Sequence, residues 1–167
     1  MGSTLSVDTI QGSTSATSVD LSGVTSLQMP AGAIVQVQRA SISNVNSTTS
    51  TSYVDSGLGV TITPKFSTSK LFISVNLGRP NIQGSGRQMD LKLYEGSSPL
   101  DGNRLGSFFH NVSGAIYYGS TAYNHFRNAV NTTTRTYNVY FKATNGAVHI
   151  SDASDIESAI IVMEIAQ

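Results

Sequence analysis

Apolar residues recur at every second position along this chain, run after run, and that period constrains its fold more than any other feature. Leu58, Val60 and Ile62 alternate with Gly59, Thr61 and Thr63, and Leu71, Ile73, Val75 and Leu77 alternate with Phe72, Ser74 and Asn76. The pattern opens at Ala33, Val35 and Val37. It returns at Met89, Leu91 and Leu93, at Tyr137, Val139, Phe141 and Ala143, and at Ala159, Ile161, Met163 and Ile165. Successive side chains of an extended strand point to opposite faces, so strict alternation describes strands that are wet on one side. No helical stripe of useful length interrupts them. About eight strands at this spacing predict an all-β fold, an antiparallel β-sandwich of jelly-roll type over residues 33–167.

Turn-forming clusters separate the runs: Asn44 to Ser52, Thr63-Pro64, Gly78 to Gly86, Glu95 to Asn103, Asn145-Gly146 and Ser151 to Ser154. Asn145-Gly146 between apolar runs predicts a hairpin with a type I′ turn. Leu71-Phe72-Ile73 and Ile160-Ile161-Val162-Met163 are apolar on both faces. Such a strand is either central in its sheet or pressed against a neighbouring subunit. Phe72, Ile160 and Val162 are accordingly the expected oligomer contacts.

Residues 1–32 have a different character. Ser and Thr dominate, and too few apolar residues are present to bury a core. The segment reads as an extended arm that orders against a partner, with Leu5, Val7, Ile10, Val19 and Leu21 as its docking residues. Pro30-Ala31-Gly32 closes it. No basic stretch followed by an apolar block marks a signal peptide, and no run is long enough to span a bilayer, so no membrane insertion is expected.

Charged residues make up only 12% of the chain, and ten basic side chains balance ten acidic ones. Hydroxyls and amides do the solubilising. Such a surface suits packing against copies or partners, because a charge there would have to shed its water. A neutral chain also offers no basic stripe for phosphates, which argues against nucleic acid as a partner. There is no cysteine, hence no disulfide and no thiolate chemistry.

The remaining candidates for chemistry are weak. His110, His125 and His149 form no metal-ligand spacing. Asp152, Asp155 and Glu157 are the densest acidic run, but they lack the glycine turn of a calcium loop. Gly84-Ser85-Gly86-Arg87 lacks the ending of a phosphate loop. Three Asn sequons, at Asn46, Asn111 and Asn131, are expected by chance in so Asn- and Thr-rich a chain. No catalytic residue, metal or cofactor is expected. The densest aromatic region holds Phe108, Phe109, Tyr117, Tyr118, Tyr123, His125 and Phe126, with Arg127 adjacent. Tyr117, Tyr118, Tyr123 and His125 fit either a ligand site, a host-surface glycan above all, or core and subunit contacts.

The order of several short motifs resembles a known group. Ser3-Thr4-Leu5-Ser6-Val7-Asp8-Thr9-Ile10-Gln11, then Ala16 to Gly23, then Met29-Pro30-Ala31-Gly32, is similar to the opening of short virion proteins of tailed phages, especially cyanophages. Ile62-Thr63-Pro64-Lys65-Phe66-Ser67-Thr68-Ser69-Lys70-Leu71, Lys92-Leu93-Tyr94 and Val162-Met163-Glu164-Ile165-Ala166 extend the likeness over nearly the whole chain. The resemblance implies a non-enzymatic, trimeric β-domain carried on the virion surface. Its partners would be further copies of itself and a major capsid or other virion protein. Capsid decoration and a tail-fibre head binding a host receptor are both open, with decoration preferred because the leader leaves little room for a shaft. A stand-alone carbohydrate-binding module is a third reading.

Overall fold

The computed structural model describes residues 29–83, 86–100, 106–110, 116–151 and 156–167. They contain thirteen strands and no helix. In chain order these are β1 (Ile34–Ile42), β2 (Asn46–Thr48), β3 (Val54–Ile62), β4 (Lys70–Leu77), β5 (Asn81–Gln83), β6 (Arg87–Glu95) and β7 (Ser98–Pro99). There follow β8 (Gly106–His110), β9 (Ile116–Tyr118), β10 (Thr121–Asn128), β11 (Arg135–Ala143), β12 (Val148–Ser151) and β13 (Ser158–Ile165).

Two main sheets face each other. Sheet A runs β1-β13-β4-β10, and sheet C runs β3-β11-β6, with β7 and β8 both pairing the far side of β6. A smaller sheet B runs β2-β12-β5-β9. With sheet B and the two-residue β7 set aside, eight strands remain. In sheet A they follow the order first, eighth, third, sixth, and in sheet C second, seventh, fourth, fifth. Every pairing is antiparallel. This is the double Greek-key weave of a jelly roll, the architecture the alternation predicts.

The alternation also builds the core. Leu58, Val60 and Ile62 of β3, Leu71, Ile73, Val75 and Leu77 of β4, Met89, Leu91 and Leu93 of β6, and Tyr137, Val139 and Phe141 of β11 are all buried between the sheets. Two closely packed apolar faces of this kind supply most of the folding free energy, at roughly 25 cal/mol per Å² removed from water.

The doubly apolar strands β4 and β13 are the central pair of sheet A. On β13 the inward residues are Ser158, Ile160, Val162 and Glu164, and the outward ones are Ala159, Ile161, Met163 and Ile165. This corrects the expected oligomer contacts. Ile160 and Val162 are wholly buried in the chain's own core, while Phe72 does face outward. In a run with apolar residues on both sides, period two gives the alternation without saying which face is inside.

The hairpin expected at Asn145-Gly146 is also absent. Gly146 has φ of +67°, as a tight turn requires, but Asn145 is not in the left-handed region, so the turn is not type I′. The chain then leaves sheet C, and β12 pairs β2 and β5 in sheet B. Two of the four strands of sheet B, β2 and β5, come from segments that read as turns, Asn44 to Ser52 and Gly78 to Gly86.

The one acid in the core of sheet A is Glu164, fully buried. Its carboxylate accepts hydrogen bonds from Gln36 Nε2 at 2.6 Å and from the backbone N–H groups of Lys65 and Phe66, each at 2.9 Å. Burial alone pushes its pKa up, but these donors outweigh it and hold the carboxyl below the ordinary glutamate value. The result ties the β3–β4 loop to β1 and β13. At the same end, Gly32 N–H donates to the Ala166 carbonyl and Ala166 N–H to the Ala33 carbonyl, both at 2.9 Å. The docking residues expected in the arm, Leu5, Val7, Ile10, Val19 and Leu21, lie outside the described residues.

Candidate interaction surfaces

The outer face of sheet A is the most unusual surface of the molecule. Antiparallel register sets Val37, Met163, Phe72 and Phe126 directly opposite one another, one from each of the four strands. Beside this row, Ile34 stands opposite Ile165, and on the other side Ile161 lies between Arg39 and Ser74. Phe72 and Phe126 are tilted ring on ring with centroids 4.8 Å apart. Phe126 is 61% exposed, Ile34 56% and Val37 50%. A continuous apolar band across an entire sheet marks an interaction surface more often than chance exposure does. Charge on this face is confined to its margins. Arg39 is ion-paired with Glu157, and Lys70 stands at the corner opposite Ile165.

The outer face of sheet C is different in kind. Tyr94 and Tyr140 stack with centroids 3.9 Å apart. The Tyr53 ring lies 5.0 Å from Lys92 Nζ and 5.1 Å from Lys142 Nζ. Lys142 also pairs with Asp90 at 3.6 Å. Asp90 is buried, and its Oδ1 accepts hydrogen bonds from Gln88 Nε2, at 2.5 Å, and from Ser107 Oγ. Thr61 and Thr136 share a hydroxyl hydrogen bond of 2.8 Å across strands. The sequence signal for these tyrosines is present in retrospect. Tyr94 and Tyr140 occupy the polar parity of β6 and β11, beside Lys92, Asn138 and Lys142.

The expected aromatic site divides. Tyr118 is exposed in sheet B, with the Arg79 guanidinium 4.3 Å from its ring centroid. Tyr123 turns inward against the core and lies over β8, where a Cβ on Gly106 would sit 2.1 Å from its ring. His125 shares that inward side of β10, whereas Phe126 points the other way onto the outer face. The side chain of Tyr117 lies outside the described residues. Neighbours in sequence on a strand face opposite ways, so a cluster counted along the chain is separated by the pleat.

Charge pairing closes the far edge of the sandwich. Glu95 meets Arg127 at 3.0 Å and the nearly buried Arg135 at 3.8 Å. Arg135 is held in turn by Asn131 Oδ1 and the Asn131 carbonyl. Burial, followed by the Glu95 charge, pushes the Tyr137 hydroxyl above its ordinary pKa. Glu95 and Arg127 line an open cleft of about 330 Å³ together with Ser98, Pro99 and Leu100. Among the described residues no group of three His, Asp or Glu side chains could hold a metal ion, and no helix is long and apolar enough to cross a membrane.

No protein-family model matches the chain, and no curated protein is similar to it. Solved structures do overlay on it. A mutant VP2 protein of infectious bursal disease virus, in derived T=1 particles, overlays 80% of this chain and 32% of its own at a TM-score of 0.43 and 11% identity. The VP2 subviral particle of the same virus overlays 80% of this chain and 33% of its own, at 0.43 and 16% identity. The structure of the Gt strain gives 80% and 38%, at 0.40 and 12% identity. The chain spans about a third of the length of these VP2 chains.

Proposed function

We propose that this chain is a non-enzymatic structural protein of a virion, self-associated, displayed at the particle surface and docked there by its N-terminal leader, where it decorates the capsid. The observation that carries the reading is the outer face of sheet A. Among the described residues the buried acids are tied into structural hydrogen bonds or ion pairs, and an apolar band crosses the outer face of sheet A with no described segment over it. A surface of that kind serves packing rather than catalysis. The ordered sequence resemblance to short phage virion proteins supports the same role.

Quantitative mass spectrometry of purified virions tests it. Copies in the hundreds are expected for capsid decoration. A count of a few dozen moves the protein to the tail, and absence from the particle refutes the reading. Deleting residues 1–30 tests the leader: the body should fold and no longer attach.

A tail-fibre head that binds a host-surface glycan is the second reading. The half-exposed tyrosines of sheet C favour it, because ring faces beside amides and ammonium groups suit a sugar. Retention of virions by immobilised host envelope polysaccharide, abolished by Tyr140→Ala, would select it.

A further inference from the structure

We infer that the outer face of sheet A is covered by a second copy of this chain, packed face to face. The inference rests on the structural reading above and names the partner of that surface.

Size permits it. Four strands about 4.8 Å apart, each advancing about 3.4 Å per residue over some eight residues, present roughly 500 Å² of face. Two copies in contact would bury about 1,000 Å² in all, the lower bound for a specific protein interface. Charge permits it as well. The chain has a formal net charge of zero, so two copies approach without mutual repulsion. The charged groups of the face lie at its rim, with Arg39 already neutralised by Glu157.

Shape favours faces over edges. The edge strand β1 carries a register shift between Ile34 and Gln36 and exposes Gln38 and Arg39, features that discourage addition of another strand. The row Val37–Met163–Phe72–Phe126 crosses the whole sheet, so it meets its own copy across a symmetry axis. Phe126 stands furthest out and would be the anchor, as buried aromatics commonly are.

Sedimentation of the purified full chain at about 100 µM tests this in the absence of any virion, so its outcome is independent of particle attachment. A mass of two chains is expected, and a mass of three, in which no face meets its own copy, counts against face-to-face pairing. Phe126→Ser, and separately Val37→Ser, should weaken self-association at least tenfold with circular dichroism unchanged. Both positions are exposed, so neither substitution disturbs the core. The cysteine-free background gives a second readout. A single thiol from Phe126→Cys should cross-link copies through a short bismaleimide, and one from Thr61→Cys on sheet C should not. An oligomer that survives both serine substitutions overturns the assignment. So does a monomer. If the Phe126→Cys thiol of that monomer still resists iodoacetamide, the cover is the chain's own leader, residues 1–28.

Discussion

The two outer faces of this sandwich come from the same alternation and end with opposite chemistry. Outside sheet A a central band of solvent-facing positions holds Val37, Phe72, Phe126, Ile161 and Met163, with Arg39, Ser74, Asn76 and Asn124 beside it. Outside sheet C they hold Thr61, Lys92, Tyr94, Thr136, Asn138, Tyr140 and Lys142. Sheet C satisfies itself through stacked rings, hydroxyl pairs and a buried carboxylate. Sheet A has a ring contact, a Ser74–Asn76 hydrogen bond and the Arg39–Glu157 pair, but the aliphatic part of its band remains in water unless something covers it. A jelly roll needs only one apolar face per sheet to close. The second apolar face on sheet A therefore reports a demand made on the protein beyond folding.

The largest effect expected from a single substitution sharpens the inside–outside contrast on β13. Ile160→Asp buries a charge in the core and should cost more than about 4 kcal/mol, unfolding the domain. Ile161→Asp, one residue on, should leave the fold within about 1 kcal/mol of the parent. Urea denaturation of both reads the difference, and equal losses would break the assignment of faces.

Glu164→Gln comes next. Loss of charge-assisted bonds from two backbone amides should cost about 1–3 kcal/mol at neutral pH. The sign with pH follows from the direction of the shift. A carboxyl held below its unfolded value of about 4.3 contributes its full stabilisation above that pH and loses it as pH falls through the folded value. The gap between parent and variant should therefore close between about pH 4 and the folded pKa in acid-titrated melts. A gap that stays constant in acid would show that Glu164 acts by shape alone.

Tyr140→Ala removes the stacked pair of sheet C and should cost about 1 kcal/mol beyond the lost area. The smallest effect belongs to sheet A. Phe126→Ser should change monomer stability by less than about 0.5 kcal/mol, because its ring is mostly in water already. A large loss there would mean that the Phe72–Phe126 contact is part of the fold rather than part of a surface.

Sequence reading reached most strands in which one parity was polar, but not β1, where a register shift before Gln36 turns Val37 outward and Gln36 inward and so breaks the face expected for Ala33, Val35 and Val37. β3, β4, β6 and β11 stand in the structure with the inward residues their alternation names. It failed on β13, where both parities are apolar and a one-residue error exchanges core and surface. It also failed on sheet B, whose strands are only three or four residues long, two of them drawn from polar segments that read as turns. Segments so short carry no measurable period, and only their partners make them strands. Glu164 was illegible for a related reason. It sits in a strand as a charge that should face water, and the backbone amides that donate to it lie about a hundred residues away. The aromatic cluster was misjudged because proximity along a chain is not proximity on a pleated sheet.

The hydrogen bonds joining Gly32 and Ala33 to Ala166 have a mechanical corollary. Any tension arriving through the leader enters β1 at a point already laced to the end of β13, a middle strand of sheet A. The pull is thus shared at once with the interior of that sheet and does not fall on a loose corner. Through Glu164 the same end also holds the β3–β4 loop, so sheet C would take up its share by way of that loop.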